Sequence, residues 1–523
     1  MADTEKKQFL LGIDLGTTGL KAGLFGTQGT PAALAYRKNP YVDLPEGERE
    51  QSAEEWWHGL CSAVRELLAC SEIEPRRIAG IGVCGFHHCP VLLTADGAPA
   101  RSVLLLHDQR LVGAREAMAR EGLINAIEGR TRSMVSSAHF PPIVYYLQRR
   151  EPGLWDRVRW LLLPKDYLRY RLTGEIATEI CDATGTNLIE PGAAAWSTEL
   201  CRLLAVDRRL LPPIGIPRDQ AGAVTPAAAR ETGLEPGTPV VYGGGDSHCA
   251  LLGLGCVNGG ETGMLLGTNS TLRTVFSRFV SHPEIRVWVQ HHVTETGYTV
   301  SASSMAGASV LTWACENLVP GVGMHGGEAG RGDQDAAYQR AEALASRSPP
   351  GSRGLLFLPY LYGERSPFYD PEATGGLWGL RHFHDAGDIL RSVFEGVALN
   401  IAGCYELVEE CAAASTDTLA TIHLGGGGSG PALWHQIISD CLDRPIRVMK
   451  VREAGSLGAA LLAGLNAGIY GDFEEAVSRC VREERVIHPQ GDAAALYGEA
   501  RRKMNGIREG ACGWQESSRA KRY

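Results

Sequence analysis

Long apolar runs are what this 523-residue chain most plainly lacks. The longest, WLLLP at 160–164 and ALLGLG at 250–255, fall far short of the roughly 20 residues a bilayer-spanning helix needs. Basic runs are also missing, and the net charge is −9, so a nucleic-acid or membrane-binding surface is not expected. The last residues, RAKRY, are basic but read as a frayed end. None of the fourteen cysteines forms a C-x-x-C pair, and their scatter suits reduced core thiols in a cytoplasm. No secretory leader is visible, because Met1–Lys7 is polar and only a short apolar strand follows. No Gly-Lys-Ser/Thr follows a strand, which excludes a Walker-type phosphate loop. A cytoplasmic protein of two domains is the first expectation, since the length allows two full cores.

What is present is an alternation of strand and helix patterns. QFLLGI, the turn DLGTTG and LKAGLF read as a strand, a turn and a second strand. Ser52 and Glu55 suggest a capping box before a helix whose Trp57, Leu60, Cys61, Val64, Leu67 and Leu68 recur at helical spacing. IAGIGV at 78–83 then reads as a buried strand. The fold class expected is α/β. GTTGLKAGLF (16–25) is echoed by GTNSTLRTVF (267–276), 251 residues later, close to half the chain. That offset points to a duplicated domain, with the glycine-rich stretch at 242–255 as the boundary. The division is therefore 1–254 and 255–509, with 510–523 as a flexible tail.

Four glycine-containing stretches suggest chemistry. In DLGTTG, bare backbone and hydroxyls can donate to an anion, while Asp14 would repel phosphate unless it holds a hydrated Mg²⁺. The second copy, LGTNST, keeps the donors but has Leu265 in place of Asp14, as expected if two loops share one metal carboxylate. In GGGDSH, Asp246 stands at a strand end with its backbone stripped for a ligand, and is the candidate general base. The stretch at 423–442 reads as strand, glycine loop and helix, and Gly425, Gly427 and Gly430 satisfy G-x-G-x-x-G. A dinucleotide-binding dehydrogenase is the alternative this raises. The motif comes with fewer than a hundred residues left, too few for the unit that fold builds after it.

These elements, in this order, resemble the FGGY family of carbohydrate kinases. PYLYGERSPFYDPEATGGLWGL (359–380), the run from Asp388 to Glu395, LLPKDYLRYRLTGE (162–175) and GSLGAALLAG (455–464) are similar to family segments. The resemblance implies two ribonuclease-H-like domains of the actin and hexokinase type, with a catalytic cleft between them. It implies transfer of the ATP γ-phosphate to a sugar or polyol hydroxyl. Carried over, Asp14 organises Mg²⁺, and Gly16, Thr17, Thr18 and Lys21 face the phosphates. Gly267, Thr268 and Asn269 form the opposing loop, and Gly307 with Gly426, Gly427, Gly428 and Ser429 lines the nucleotide pocket. Asp246 takes the base position.

The xylulokinase branch is nearest in look, which makes a ketopentose such as D-xylulose the expected acceptor. Its sugar loop reads Gly-Gln-Met-His-Gly, where this chain has Gly85-Phe86-His87-His88-Cys89. Its Trp-x-Asp-x-Arg pattern appears here as Leu106-His107-Asp108-Gln109-Arg110, and Ile143 and Ser247 are further departures. His87, His88, Asp108, Arg110 and Asp246 are the expected sugar-binding residues. The paired histidines between Cys84 and Cys89 are not expected to hold metal, because neighbours on a strand point to opposite faces. Ribulose, sedoheptulose, a tetritol, glycerol or gluconate remain as alternative acceptors, and a non-catalytic actin-like ATP switch as the alternative class. Homodimerisation is left open.

Overall fold

A computed structural model describes residues 8–319, 321–322, 331–425, 430–451 and 453–519. The opening apolar runs form β1 (Phe9–Leu15) and β2 (Gly19–Gly26), an antiparallel pair that sets Asp14 opposite Lys21. β3 (Pro31–Lys38) extends the pair on one side. On the other side β4 (Ile78–Gly85), buried along its whole length, joins β1 in parallel. β5 (Gln220–Ala223) pairs antiparallel with β6 (Pro239–Val241), which joins β4 in parallel. The two-residue β7 (Gly244–Gly245) adds to the end of β4.

The second half repeats the plan. β8 (Thr262–Leu266) and β9 (Ser270–Phe276) form the antiparallel pair, and β10 (Trp288–His291) and β11 (Tyr298–Ser304) extend it beyond β9. β12 (Ile422–Gly425) and β13 (Ile446–Met449) follow in parallel, and β14 (Glu483–Ile487) closes antiparallel. From β3 to β5 and from β11 to β14 the pairing runs anti, anti, parallel, parallel, anti. The echo at 16–25 and 267–276 is thus the second strand of two equivalent pairs.

Among the helices, α1 (Ala53–Ser71) covers β2 and β3 with Trp56, Trp57, Leu60, Val64 and Leu67 buried. Ser52 is its N-cap, but its side chain makes no capping bond, so the expected capping box does not form. Burial of the two tryptophans anchors that end instead, with Trp57 Nε1 donating to Glu231 at 2.8 Å. α2 (Pro164–Thr173) and α3 (Ile180–Gly185) carry buried charges considered below. α4 (Asp246–Gly253) and α7 (Ala454–Asn466) cross at the centre, and α5 (Ala308–Asn317) and α6 (Ala386–Ala412) pack in the second half. α8 (Gly491–Arg519) continues past 510, where a flexible tail was expected, so the backbone there is helical.

The crossing depends on missing side chains. A Cβ on Gly12 or Gly82 would lie 1.8 or 1.9 Å from the carbonyl oxygen of Ser456 or Ala459 on α7. One on Gly458 would meet the Cys249 oxygen of α4 at 1.8 Å. A helix from the second half thus lies directly on the first sheet. α4, from the first half, in turn sets Leu251 and Leu254 over Gly263 and Gly425 of the second. One buried cluster contains Leu10 and Phe25 together with Leu457, Leu461 and Tyr470, so the halves share a core. No helix among the described residues is long and apolar enough to cross a membrane.

Candidate active site

Two cavities meet where the sheets face each other. One, of about 460 Å³, is lined by Asp14, Gly16, Thr17, Thr18, Lys21, His87, His88, Asp246 and Asn269, among others. The other, of about 890 Å³, is lined by Thr18, Lys21, Gly267, Thr268, Ser309, Trp313 and Tyr338. Thr18, Lys21 and Glu453 border both, so the two form a continuous cleft.

Each Gly-Thr turn is closed through its glycine N–H, the first being one residue longer than the second. Gly16 N–H donates to the Gly19 carbonyl at 3.0 Å, and Gly267 N–H to the Asn269 carbonyl at 3.0 Å. Behind the second turn, Ala308 N–H at the start of α5 donates to Gly267 O, and Ser309 Oγ to Thr268 O. Gly307 is not on the cavity wall; a Cβ there would strike both turn carbonyls at 2.6 Å, so it allows α5 to dock on the turn. Gly426, Gly427, Gly428 and Ser429 lie outside the described residues.

Asp14, the last residue but one of β1, has its Oδ1 buried and without a hydrogen-bond partner. Burial raises its pKa to about 6, opposed by Lys21 and reinforced by Asp246 and Glu453. Gly455 on α7 leaves room for this carboxylate. An orphaned hard oxygen beside the first turn fits a hydrated Mg²⁺ shared with nucleotide phosphates. No group of three or more His, Cys, Asp or Glu among the described residues could by itself hold a metal, at the paired histidines or elsewhere.

Asp246 is the first residue of α4, where the helix dipole favours a carboxylate. His88 has φ +74°, donates Nδ1–H to the Gly185 carbonyl at 2.8 Å and stacks on His139. Burial, reinforced by His87, pushes its pKa down to about 3, so a neutral ring offers Nε2 as an acceptor. His87 has both ring nitrogens engaged by protein groups, which leaves none for a sugar.

Asp108 and Arg110 do not reach the cavity. Asp108 accepts from the backbone N–H groups of Arg49 and Arg110 and from the Arg110 guanidinium, which also pairs with Glu48 and Glu50. Their charges are spent on one another, and they brace the loop that presents Leu106 and His107 to the cavity. The expected sugar contact is corrected to a structural one. Residues that sequence reasoning passed over take those places: His107, His139, Arg273, Trp288, Gln290 and Arg365 line the cavity. Arg273 carried a visible signal, a charge in the middle of a β-run, while Trp288 and Gln290 carried none. Trp288 Nε1, Gln290 Nε2 and Arg273 Nε are buried donors without hydrogen-bond partners, on residues that border the cavity.

The model for the FGGY family of carbohydrate kinases, N-terminal domain, matches residues 9–253, and that for the C-terminal domain residues 259–467. A xylulose kinase of Bacillus subtilis (strain 168) is 29% identical over 491 residues, covering 94% of each chain. The ligand-bound xylulose kinase structure from Lactobacillus acidophilus superposes with a TM-score of 0.88 at 22% identity, over 96% of this chain and 98% of that one. A gluconate kinase structure from the same organism gives 0.87 at 22%, with the same coverage. With both domain models matched in order and the two-sheet fold shared, the chain belongs to the FGGY family of carbohydrate kinases.

Proposed function

We propose that this kinase transfers the γ-phosphate of ATP to a hydroxyl of an open-chain sugar, with a ketopentose such as D-xylulose as its preferred acceptor. The observation that carries the reading is Asp246, whose carboxylate faces a cavity bordered by Gly16–Thr18 and by Asn269 of the second turn. Asp246 takes the proton of the acceptor hydroxyl as that oxygen bonds to the γ-phosphorus. The bond to the β,γ-bridging oxygen breaks, and ADP leaves. A positioned base of this kind is worth about 10²–10⁴-fold, roughly 3–5 kcal/mol of barrier.

The donor side belongs to the second cavity. Backbone N–H groups of Thr17, Thr18, Thr268 and Asn269 and the threonine hydroxyls, with the Lys21 ammonium, meet the phosphates, and residues 255–509 supply most of the nucleotide wall. Lys21 is held 2.8 Å from Glu453. Asp14 would hold Mg²⁺ through water, and the ion's charge would offset that of the phosphates during transfer.

A ketose suits the acceptor side for a physical reason. The carbonyl and hydroxyl oxygens of a ketose can accept hydrogen bonds, and Trp288, Gln290 and Arg273, which border the cavity, each carry a donor without a partner. The xylulose kinase relatives agree with this choice. A coupled ADP-release screen over ketopentoses, ketoheptoses, tetritols, glycerol and gluconate tests it, run beside Asp246→Asn. The highest kcat/KM is expected for a ketopentose, with the variant binding ATP but losing turnover. A tetritol or gluconate as best substrate would overturn the acceptor alone. Near-normal turnover of Asp246→Asn would overturn the base.

A further inference from the structure

Asp246 is one end of a buried chain of charges. Its Oδ1 accepts the backbone N–H of Ser247 at 2.5 Å and lies 3.3 Å from His87 Nε2. No partner is found for Oδ2 among the described residues, and the carboxylate is about one-third exposed, toward the cavity. Across the same imidazole, Nδ1 is 2.6 Å from Asp182 Oδ1 on α3. The other oxygen of Asp182 is 3.1 Å from Lys165 Nζ on α2, which also meets Asp166 at 2.6 Å and Glu179 at 3.4 Å. Lys165 and these three carboxylates are fully buried.

The proton positions follow from what each group can do. A carboxylate only accepts, so the 2.6 Å contact puts a proton on Nδ1. At the other end a bare Nε2 would set its lone pair against a carboxylate oxygen in a buried site. A proton on Nε2 turns that contact into attraction and satisfies Ser247 Oγ at 3.1 Å as a second acceptor. The ring fills the place a side chain at 245 would take, since a Cβ on Gly245 would fall 1.6 Å from its Cε1. The glycine before Asp246 therefore serves the histidine.

We propose that His87, as an imidazolium, is the positioning residue for the phosphoryl-transfer base. It pins Asp246 through Oδ1, so that Oδ2 alone meets the acceptor hydroxyl, and turnover falls when His87 loses its proton. The inference rests on Asp246 being the base, as proposed above. The xylulokinase sugar loop has Met at this place, a side chain that can carry no charge, so the device follows from this chain's own residue. The groups facing His87 are Asp182, Asp246, Ser247 and His248, with Arg273 from β9 and His88 beside it. Burial alone would strip the ring of its proton. The charge and hydrogen bond of Asp182, then the charge of Asp246, outweigh burial and the opposing Arg273, and the pKa stands above its usual 6.5. The imidazolium is thus present below that raised value and is lost as pH climbs through it.

The test compares kcat–pH profiles of wild type, His87→Gln and His87→Met with ATP and D-xylulose, or with whichever screened acceptor releases ADP fastest. The wild type should show an alkaline fall in kcat with a midpoint above 6.5 that is absent from both variants. Their plateau kcat should drop by up to about 100-fold, with KM for ATP unchanged. A second arm needs no acceptor: the ring nitrogens of His87 are titrated by NMR and assigned by their absence from His87→Gln. Their midpoint should lie above 6.5 in wild type and fall in Asp246→Asn. A wild-type pH profile in His87→Gln while Asp246→Asn is dead would overturn the positioning role and leave the base standing. So would a His87 midpoint below 6.5, or one unmoved by Asp246→Asn. An active Asp246→Asn would remove the base and this inference together.

Discussion

Asp14 and Asp246 are both carboxylates at the edge of one cleft, yet their surroundings set them different tasks. Asp246 has an oxygen open to the cavity, whereas Asp14 keeps Oδ1 buried and unpaired. Because burial raises the Asp14 pKa from 3.8 to about 6, the folded state holds its proton longer than the unfolded chain. Native stability from this group therefore falls as pH rises across that interval and stays low above it. Asp14→Asn should raise the melting temperature of the ligand-free enzyme at pH 7–8 and abolish the further rise given by Mg²⁺ with ADP. An unchanged Mg²⁺-dependent shift in the variant would remove Asp14 from the metal site. At this scale the sequence was informative where glycine stripped the backbone, as at Gly243–Gly245. It was silent where direction mattered: Asp108 and Arg110 have sugar-binding chemistry, but Glu48, Glu50 and Arg49, distant in sequence, claim them.

At the scale of elements, periodicity exposed what faces the core. The apolar run at 78–83 became a strand buried throughout, and the helical spacing from Trp57 became α1. Capping was not legible, since Ser52 has the right type but leaves its hydroxyl out of the helix end. Nor was the fit of α4 against α7, because glycines in GSLGAALLAG read equally well as weak helix formers. The structure gives Gly458 a purpose, backbone contact with α4 at a distance no Cβ tolerates. Gly458→Ala should cost at least about 2 kcal/mol in chemical denaturation, since the clash is with backbone rather than with a side chain that can turn away. Loss of less than about 0.5 kcal/mol would show that the crossing can spread.

For the whole molecule, the repeat at an offset of 251 led to two domains, and the matching strand orders show two copies of one sheet plan. The cleft was legible as a consequence of two facing turns. The extra edge strand β10, which brings Trp288 and Gln290 to the cavity, was not, because it has no counterpart in the first copy. Closure of the halves would exclude water from the transferring phosphoryl group. Trp288 and Trp313 sit one in each cavity, so fluorescence should change when D-xylulose and a non-hydrolysable ATP analogue bind together, with a smaller radius of gyration in solution scattering. An unchanged radius would count against closure.

The helix that completes the first sheet arrives late in the chain. Residues 454–466 lie on strands made from residues 9–15 and 78–85. During synthesis the first half must therefore leave the ribosome with one face of its sheet uncovered, and keep it so until most of the chain has been made. A stop codon anywhere before residue 454 would remove the cover of the first half as well as truncate the second. The two copies of the duplicated plan are in this sense no longer separable, because each has come to own part of the other's interior.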